Sequence, residues 1–410
     1  MSAGLADAKI LDEADPVRDF RRRFALPAGV IYLDGNSLGA LPAATAPRLA
    51  RAVETEWGEG LIRSWNDAGW IGAPARVGAK IARLIGAAAH EVIVADSTSV
   101  NIFKLLAAAA RARPGRRVIL TETGNFPTDL YVAAGAADAL GLELRAVAPG
   151  AVMGTLDSDV ACVLLTHVHY KTAARRDMAA VTAKVHAAGA LMIWDLSHSA
   201  GAVEVDLRGC GADLAVGCGY KFLNGGPGAP AFLFVAEALL ASLASPLTGW
   251  MGHAAPFDFS DDWRPAAGVG RFLCGTPPML GLIALESAID LWLEADRPAV
   301  WKKAARLWDL FADAARPLVE RHGFELLTPA AAERRGSHIA FTHPNGYAVM
   351  HALIARGVIG DFREPDVLRF GLTPLYLSHQ DVWRGARTLY EVMESGAWRD
   401  APARAEGRVT

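Results

Sequence analysis

An acid and a lysine stand at the ends of two apolar runs in the middle of the chain. Asp195 closes the run ALMIW, and Lys221 follows DLAVGCGY and opens the glycine-rich FLNGGPG. An ammonium between apolar runs is costly unless its charge is paired or removed. Condensation of the amine with an aldehyde removes it. A carboxylate at a neighbouring strand end suits a protonated ring nitrogen. Together these are the demands of pyridoxal 5′-phosphate (PLP): the lysine forms an imine with the aldehyde, and the acid keeps the pyridine nitrogen protonated. Glycines beside the lysine let backbone approach a bulky group. The plainer alternatives are a surface lysine next to a loop and a strand-end acid capping a turn.

Other residues of the right types surround this pair. Tyr220 either packs in the core or offers its hydroxyl to a phosphate or a reacting group. His198, three residues after Asp195, either packs on the cofactor or satisfies a local hydrogen bond. In DSTSVNIFK, Thr98 and Ser99 sit where a strand gives way to a helix; they form an anion site at a helix N-terminus or an ordinary cap. In GNFPTD, Phe126 can stack on a flat ring and Asp129 can bond its substituents, or the segment is a proline turn into a helix. Thr166 closes VACVLLT. His167 and His169 share one strand face but lack carboxylate or thiolate partners nearby, so they read as packing or substrate lining and no metal is expected. Arg369, on the apolar DVLRFGLTPLY, needs a carboxylate: Asp366 or Glu364 if structural, a substrate α-carboxylate if functional. GWMGH (249–253) and RFLCGTPP (271–278) read as ordered loops.

The elements that position these residues alternate. β-like runs at 91–95, 116–121, 142–148, 160–166, 191–196, 213–219 and 229–236 are separated in most cases by helical runs. That pattern predicts βαβ crossovers and a mostly parallel sheet, whose ligands bind beyond the strands' carboxyl ends. The candidate residues fall at those ends. After Pro278 come two long amphipathic helices, then GFELLT, SHIAFTHP and DVLRFGLTPLY as strands, with HALIARG and DVWRGARTLYEVME as helices. The expectation is an α/β protein: an N-terminal segment (1–51) packing on the smaller domain or across a subunit boundary, a large cofactor domain (52–296) and a smaller α+β domain (297–410).

Composition excludes several classes. The 410 residues are 52% hydrophobic, enough for a large core, and the net charge of −3 leaves no basic stripe for nucleic acid. No uncharged apolar run spans a bilayer, and the acidic N-terminus carries no secretory signal. Four scattered cysteines (162, 210, 218, 274) make no CxxC pair and read as reduced thiols. A cytoplasmic protein with no membrane partner is expected.

Several motifs, in order and nearly end to end, give the chain a family likeness. YLDGNSLG (32–39), FPTD (126–129), DLSHSAG (195–201), YKFLNGGPG (220–228), GWMGH, RFLCGTPP and REPDVLRFGLTPLY (363–376) together resemble kynureninase. That family belongs to the PLP enzymes of fold type I, close to aminotransferase class V. YKFLN with an upstream aspartate is shared across the class, whereas LDGNSLG, GWMGH and REPDVLR are more specific. The resemblance implies hydrolysis of L-kynurenine to anthranilate and L-alanine, with 3-hydroxy-L-kynurenine as a further substrate, in tryptophan metabolism. It implies that Lys221 anchors PLP, Asp195 pairs with the pyridine nitrogen and Phe126 stacks on the ring. Thr98, Ser99, Asp129, Thr166, His198 and Tyr220 would contact the cofactor, with Tyr220 a candidate proton donor. Trp250 and Thr276 would reach in from the partner of an obligate homodimer, and Arg369 would hold the substrate carboxylate. Asparagine stands at the position of Thr276 in some animal members that prefer the 3-hydroxylated substrate. Threonine here, with Trp65 in SWNDAGW, resembles bacterial enzymes favouring plain L-kynurenine. The alternatives are another class V enzyme, a cysteine desulfurase or an aminotransferase, and a non-catalytic PLP-binding protein. A desulfurase needs a mobile cysteine on the smaller domain, and all four cysteines precede it.

Overall fold

The structure, a computed structural model, describes residues 4–401. The described residues fold into two compact units, one of residues 4–45, 170–175 and 294–401 and the other of 46–169 and 176–293. The six-residue excursion at 170–175 was not visible as a boundary in the sequence, because it is too short to change the local composition.

The larger unit is built on a seven-stranded sheet. Its strands, in chain order, are β1 (Val92–Val94), β2 (Val118–Glu122), β3 (Glu143–Val147), β4 (Val160–Thr166), β5 (Leu191–Asp195), β6 (Leu214–Gly217) and β7 (Phe232–Val235). Their spatial order is β1-β7-β6-β5-β4-β2-β3, and β7 alone runs against its neighbours. Every residue of β4, β5 and β6 is buried, which is why these strands read as continuous apolar runs. The crossovers include helices α1 (Thr98–Arg111), α2 (Pro127–Leu140) and α3 (Met178–Ala187). Each starts at a readable signal: Ser97 accepts from Val100 N, Pro127 fills the first position of α2, and Asp177 accepts from Ala180 N. Gly141, at φ 66°, ends α2 in the left-handed conformation. Alanines and branched residues of α1 and α2 pack on one sheet face with Ile119, Leu164, Ile193 and Val216.

The smaller unit has a four-stranded antiparallel sheet in the order 361–363, 367–371, 338–342, 325–326. The strands Val358–Ile359 and Asp361–Arg363 had no sequence reading, being two and three residues long. The helices Arg297–Arg321 and His379–Ser395 pack together in this unit. Several contacts join the N-terminal segment to it, among them the ion pairs Asp15–Lys303 and Arg21–Asp381. Ile31–Tyr32 pairs in parallel with Val358–Ile359. Asp12 accepts bonds from the backbone N–H groups of His379 and Gln380, capping the last long helix from outside. Among the described residues, no helix is long and apolar enough to cross a membrane.

Candidate active site

Lys221 follows β6 on a turn that close packing forces to be glycine-rich. A Cβ on Gly219 would stand 2.5 Å from the Pro230 carbonyl oxygen, and one on Gly225 would stand 2.7 Å from that of Gly219. Asn224 takes the left-handed φ of 59°. The lysine is 8% exposed. Its Nζ lies 3.1 Å from His198 Nε2, with the Phe126 and Tyr220 rings at 5.5 and 5.7 Å. Three segments far apart in sequence therefore converge on one amine.

Two buried carboxyls face each other nearby. Asp195, the last residue of β5, accepts at Oδ1 from Ser197 N (2.8 Å) and Ser197 Oγ (2.6 Å). Asp129, in the first turn of α2, is 1% exposed. Burial, and then the Asp195 charge, push the Asp129 carboxyl far above the ordinary carboxylate range. Burial raises Asp195 as well, against the pull of Ser197 and Lys221. Asp129 therefore keeps the proton and donates it in a hydrogen bond to Asp195. Asp129 Oδ2 and the fully buried Ser199 Oγ have no hydrogen-bond partner. Orphaned atoms beside an anionic pair fit a cationic, hydrogen-bonding ring. The lysine, the aromatic Phe126 and the acid pair are thus chemically suited to PLP.

Asn125 and Ser197 carry weight that sequence reasoning missed. Asn125 Oδ1 accepts from Phe126 N (2.8 Å) and from Thr166 Oγ1 (3.0 Å), tying the end of β4 to the start of α2. An asparagine before an aromatic–proline helix start was the available signal. Thr166 reaches the site through this bond. Thr98 and Ser99 are half-buried in the first turn of α1. Trp250 is 37% exposed and Thr276 is exposed. The structure brings none of these four into described contact with Lys221. Trp65 packs edge-on against Trp70 at 6.0 Å, in a small apolar cluster with Ala52 and Ile283.

Arg369 belongs to the smaller unit and is 2% exposed. Its partner is neither Asp366 nor Glu364 but Asp361, the residue opposite it across the antiparallel pair. Nε donates to Asp361 Oδ1 at 2.7 Å and Nη2 to Oδ2; Nη1 donates to the Tyr170 carbonyl. The sequence missed Asp361 because its strand is three residues long. Asp34, of the LDGNSLG motif, lies near; burial and the Asp361 charge push it up to about 7. Cys162 and Cys218 are buried and unpaired, and burial pushes the Cys162 thiol up to about 12.

A profile described as the kynureninase C-terminal domain matches residues 300–389. A kynureninase from Burkholderia mallei (strain SAVP1) is 50% identical, over 96% of each chain. One from Pseudomonas fluorescens is 48% identical, over 98% of this chain and 99% of the other. The chain belongs to the kynureninase family. By shape alone it is similar to cysteine desulfurases. That from Thermococcus onnurineus NA1 superposes with a TM-score of 0.78 at 17% identity, over 93% of this chain and 98% of that one. CsdA from Escherichia coli gives 0.75 at 19%, over 92% and 99%. At such identities the likeness is one of fold: the large domain of a type I PLP enzyme with its mostly parallel sheet, and a smaller α+β domain.

Proposed function

We propose that the site residues divide the work of a PLP-dependent hydrolase that converts L-kynurenine to anthranilate and L-alanine. When bound, PLP supplies the electron sink that lets the α-proton leave and the Cβ–Cγ bond break. The observation that carries the assignment is the buried Lys221 amine set against His198 and the Phe126 face, with the Asp129–Asp195 pair close by. Lys221 anchors the aldehyde and, once released, moves the α-proton. Asp195 faces the ring nitrogen, and protonated Asp129 adds a second hydrogen bond while adding no charge. His198 fixes the direction of the lysine. The first turn of α1, with Thr98 and Ser99, receives the phosphate. Tyr220 donates a proton to the alanine fragment. Water added to the γ-carbonyl gives a gem-diol, and loss of one of its protons to a base leaves a gem-diolate whose negative charge calls for hydrogen-bond donors.

Arg369 is assigned the substrate carboxylate. Asp361 occupies one edge of its fork, and one Nη1 hydrogen remains beyond the described bonds. Trp250 and Thr276 complete the site of a second copy in a homodimer. Support comes from their exposure and from the exposed aromatic cluster Trp250–Phe257–Phe259, whose rings pack edge to face at 5.8 and 6.4 Å. Trp65 lines the substrate ring. No cysteine lies in the smaller unit, so the desulfurase alternative lacks its nucleophile there. A side-by-side turnover assay on L-kynurenine, 3-hydroxy-L-kynurenine and L-cysteine tests this reading. Anthranilate should form fastest. Sulfide release from cysteine without anthranilate would reverse the assignment.

A further inference from the structure

One buried cation has no part in the chemistry above. Lys104 lies two turns into α1, beyond Thr98 and Ser99, and is fully buried. Its Nζ donates to the Asp96 carboxylate and, at 2.6 Å, to the carbonyl oxygen of Phe272. Asp96 precedes Ser97, the N-cap of α1, and holds a left-handed φ of 45°, a region that aspartate enters more readily than most side chains but less readily than glycine. The Cys274 thiol lies 3.7 Å from Asp96 Oδ1. Phe272 and Cys274 belong to the loop that carries Thr276. The same backbone supports the loop of Trp250. Met251 N donates to the Cys274 carbonyl at 3.2 Å, and a Cβ on Gly249 would stand 2.4 Å from that oxygen. The ammonium thus joins the turn before α1 to the loop at 271–276, which in turn holds the loop at 249–253 through the Cys274 carbonyl.

We propose that Asp96 and Lys104 are a positioning pair that holds the first turn of α1 in register with the loops of Trp250 and Thr276. The inference rests on reading Thr98 and Ser99 as the phosphate cradle. Lys104 is fully buried and the Asp96 side chain is 29% exposed, and an ion pair largely withdrawn from water adds little net stability over neutral groups of the same shape, so stability alone gives no reason for one here. Its directed bonds instead fix geometry. A glycine at 96 would take the left-handed φ without strain, yet it would give Lys104 no carboxylate. Position 96 thus keeps an acid, where a glycine would suit the backbone better, at the point where the strand meets the cradle. In a dimer the two loops serve the second copy's site, so the pair would also tie one cradle to the other site.

The test is the double variant Asp96→Asn/Lys104→Met, which removes both charges and keeps the volumes. Three quantities are read: melting of the PLP-free protein, the PLP dissociation constant by visible titration, and kcat and KM for L-kynurenine. We expect near-native melting, PLP binding weakened about tenfold or more, and a lower kcat, as misplacement of a binding element by a fraction of an ångström produces. Native PLP affinity with native kcat/KM would overturn the proposal. If the double variant does not fold, Lys104→Gln, which keeps a donor toward Phe272, is judged by the same result. Thr98→Val/Ser99→Ala is the control. If it binds PLP normally, the cradle reading fails; if it binds weakly while the double variant binds normally, the positioning pair alone is wrong.

Discussion

Asp129 and Asp195 show how two like groups take different states. Both are buried, but the Ser197 bonds favour the anion on Asp195, while Asp129 has an orphaned oxygen and keeps the proton. The folded pKa of Asp129 lies above its unfolded value near 3.8, so the native state holds more protons. Stability from this group is therefore present at low pH and declines as pH rises above that value. PLP-free Asp129→Asn should lose this decline and be at least as stable as the parent at neutral pH in urea unfolding, while turnover falls. A variant that is markedly less stable at neutral pH would contradict the protonated state. Arg369 calls for a gentler change than truncation. Arg369→Ala would take from the buried Asp361 its two-bond partner and leave it only Arg363 and Ser37, so folding would suffer along with binding. Arg369→Lys keeps the charge and loses the fork. Its KM for L-kynurenine should rise about tenfold or more with PLP binding retained; an unchanged KM would make the arginine purely structural. Lys221 and Asp195 were legible because each stands at the end of an apolar run, where a charge must have a reason. Asn125, Ser197 and Asp361 were not, because common polar residues in turns or very short strands leave no pattern.

At the scale of elements, the side chain of Asp12 ties the N-terminal helix, Leu5–Glu13, to the last long helix, His379–Ser395. Asp12 accepts from His379 N (2.6 Å), His379 Nδ1 (2.9 Å), Gln380 N (3.2 Å) and Gln380 Nε2 (3.0 Å). Burial alone would raise its carboxyl; the four bonds outweigh burial and hold it at about 2. The folded pKa is depressed, so this stabilisation is present above the unfolded value of about 3.8 and is lost as pH falls through about 2. Asp12→Ala should destabilise the chain by about 1–2 kcal/mol at neutral pH, in the range of a lost helix cap, and the difference should shrink below pH 4. Equal unfolding midpoints at pH 7 would refute the cap. The strands of the large sheet were readable, since burial on both faces writes a continuous apolar run. The attachment of 4–45 to the smaller unit was less so. It rests on a two-residue strand and on scattered polar contacts of Asp12, Asp15, Arg21 and Ser37, none of which has a periodicity.

For the whole molecule, the exposed aromatic cluster is the feature that one chain leaves unexplained. Phe257 and Phe259 are 61% and 78% exposed, beside Trp250. If a second copy covers them, sedimentation should give twice the chain mass, and Phe259→Asp should shift the protein toward monomer and lower turnover. A fully active monomer would remove Trp250 and Thr276 from the shared site. The family and its reaction were legible from motifs in order along the chain. The two-unit division around 170–175 was not, because the chain leaves the large sheet for only six residues. The account depends above all on a covalent bond at one amine. Borohydride reduction of the PLP-loaded protein, followed by peptide mass mapping, tests it most directly. A phosphopyridoxyl group on Lys221, absent from Lys221→Ala, is the expected result. The label on another lysine, or undiminished labelling of Lys221→Ala, would contradict it.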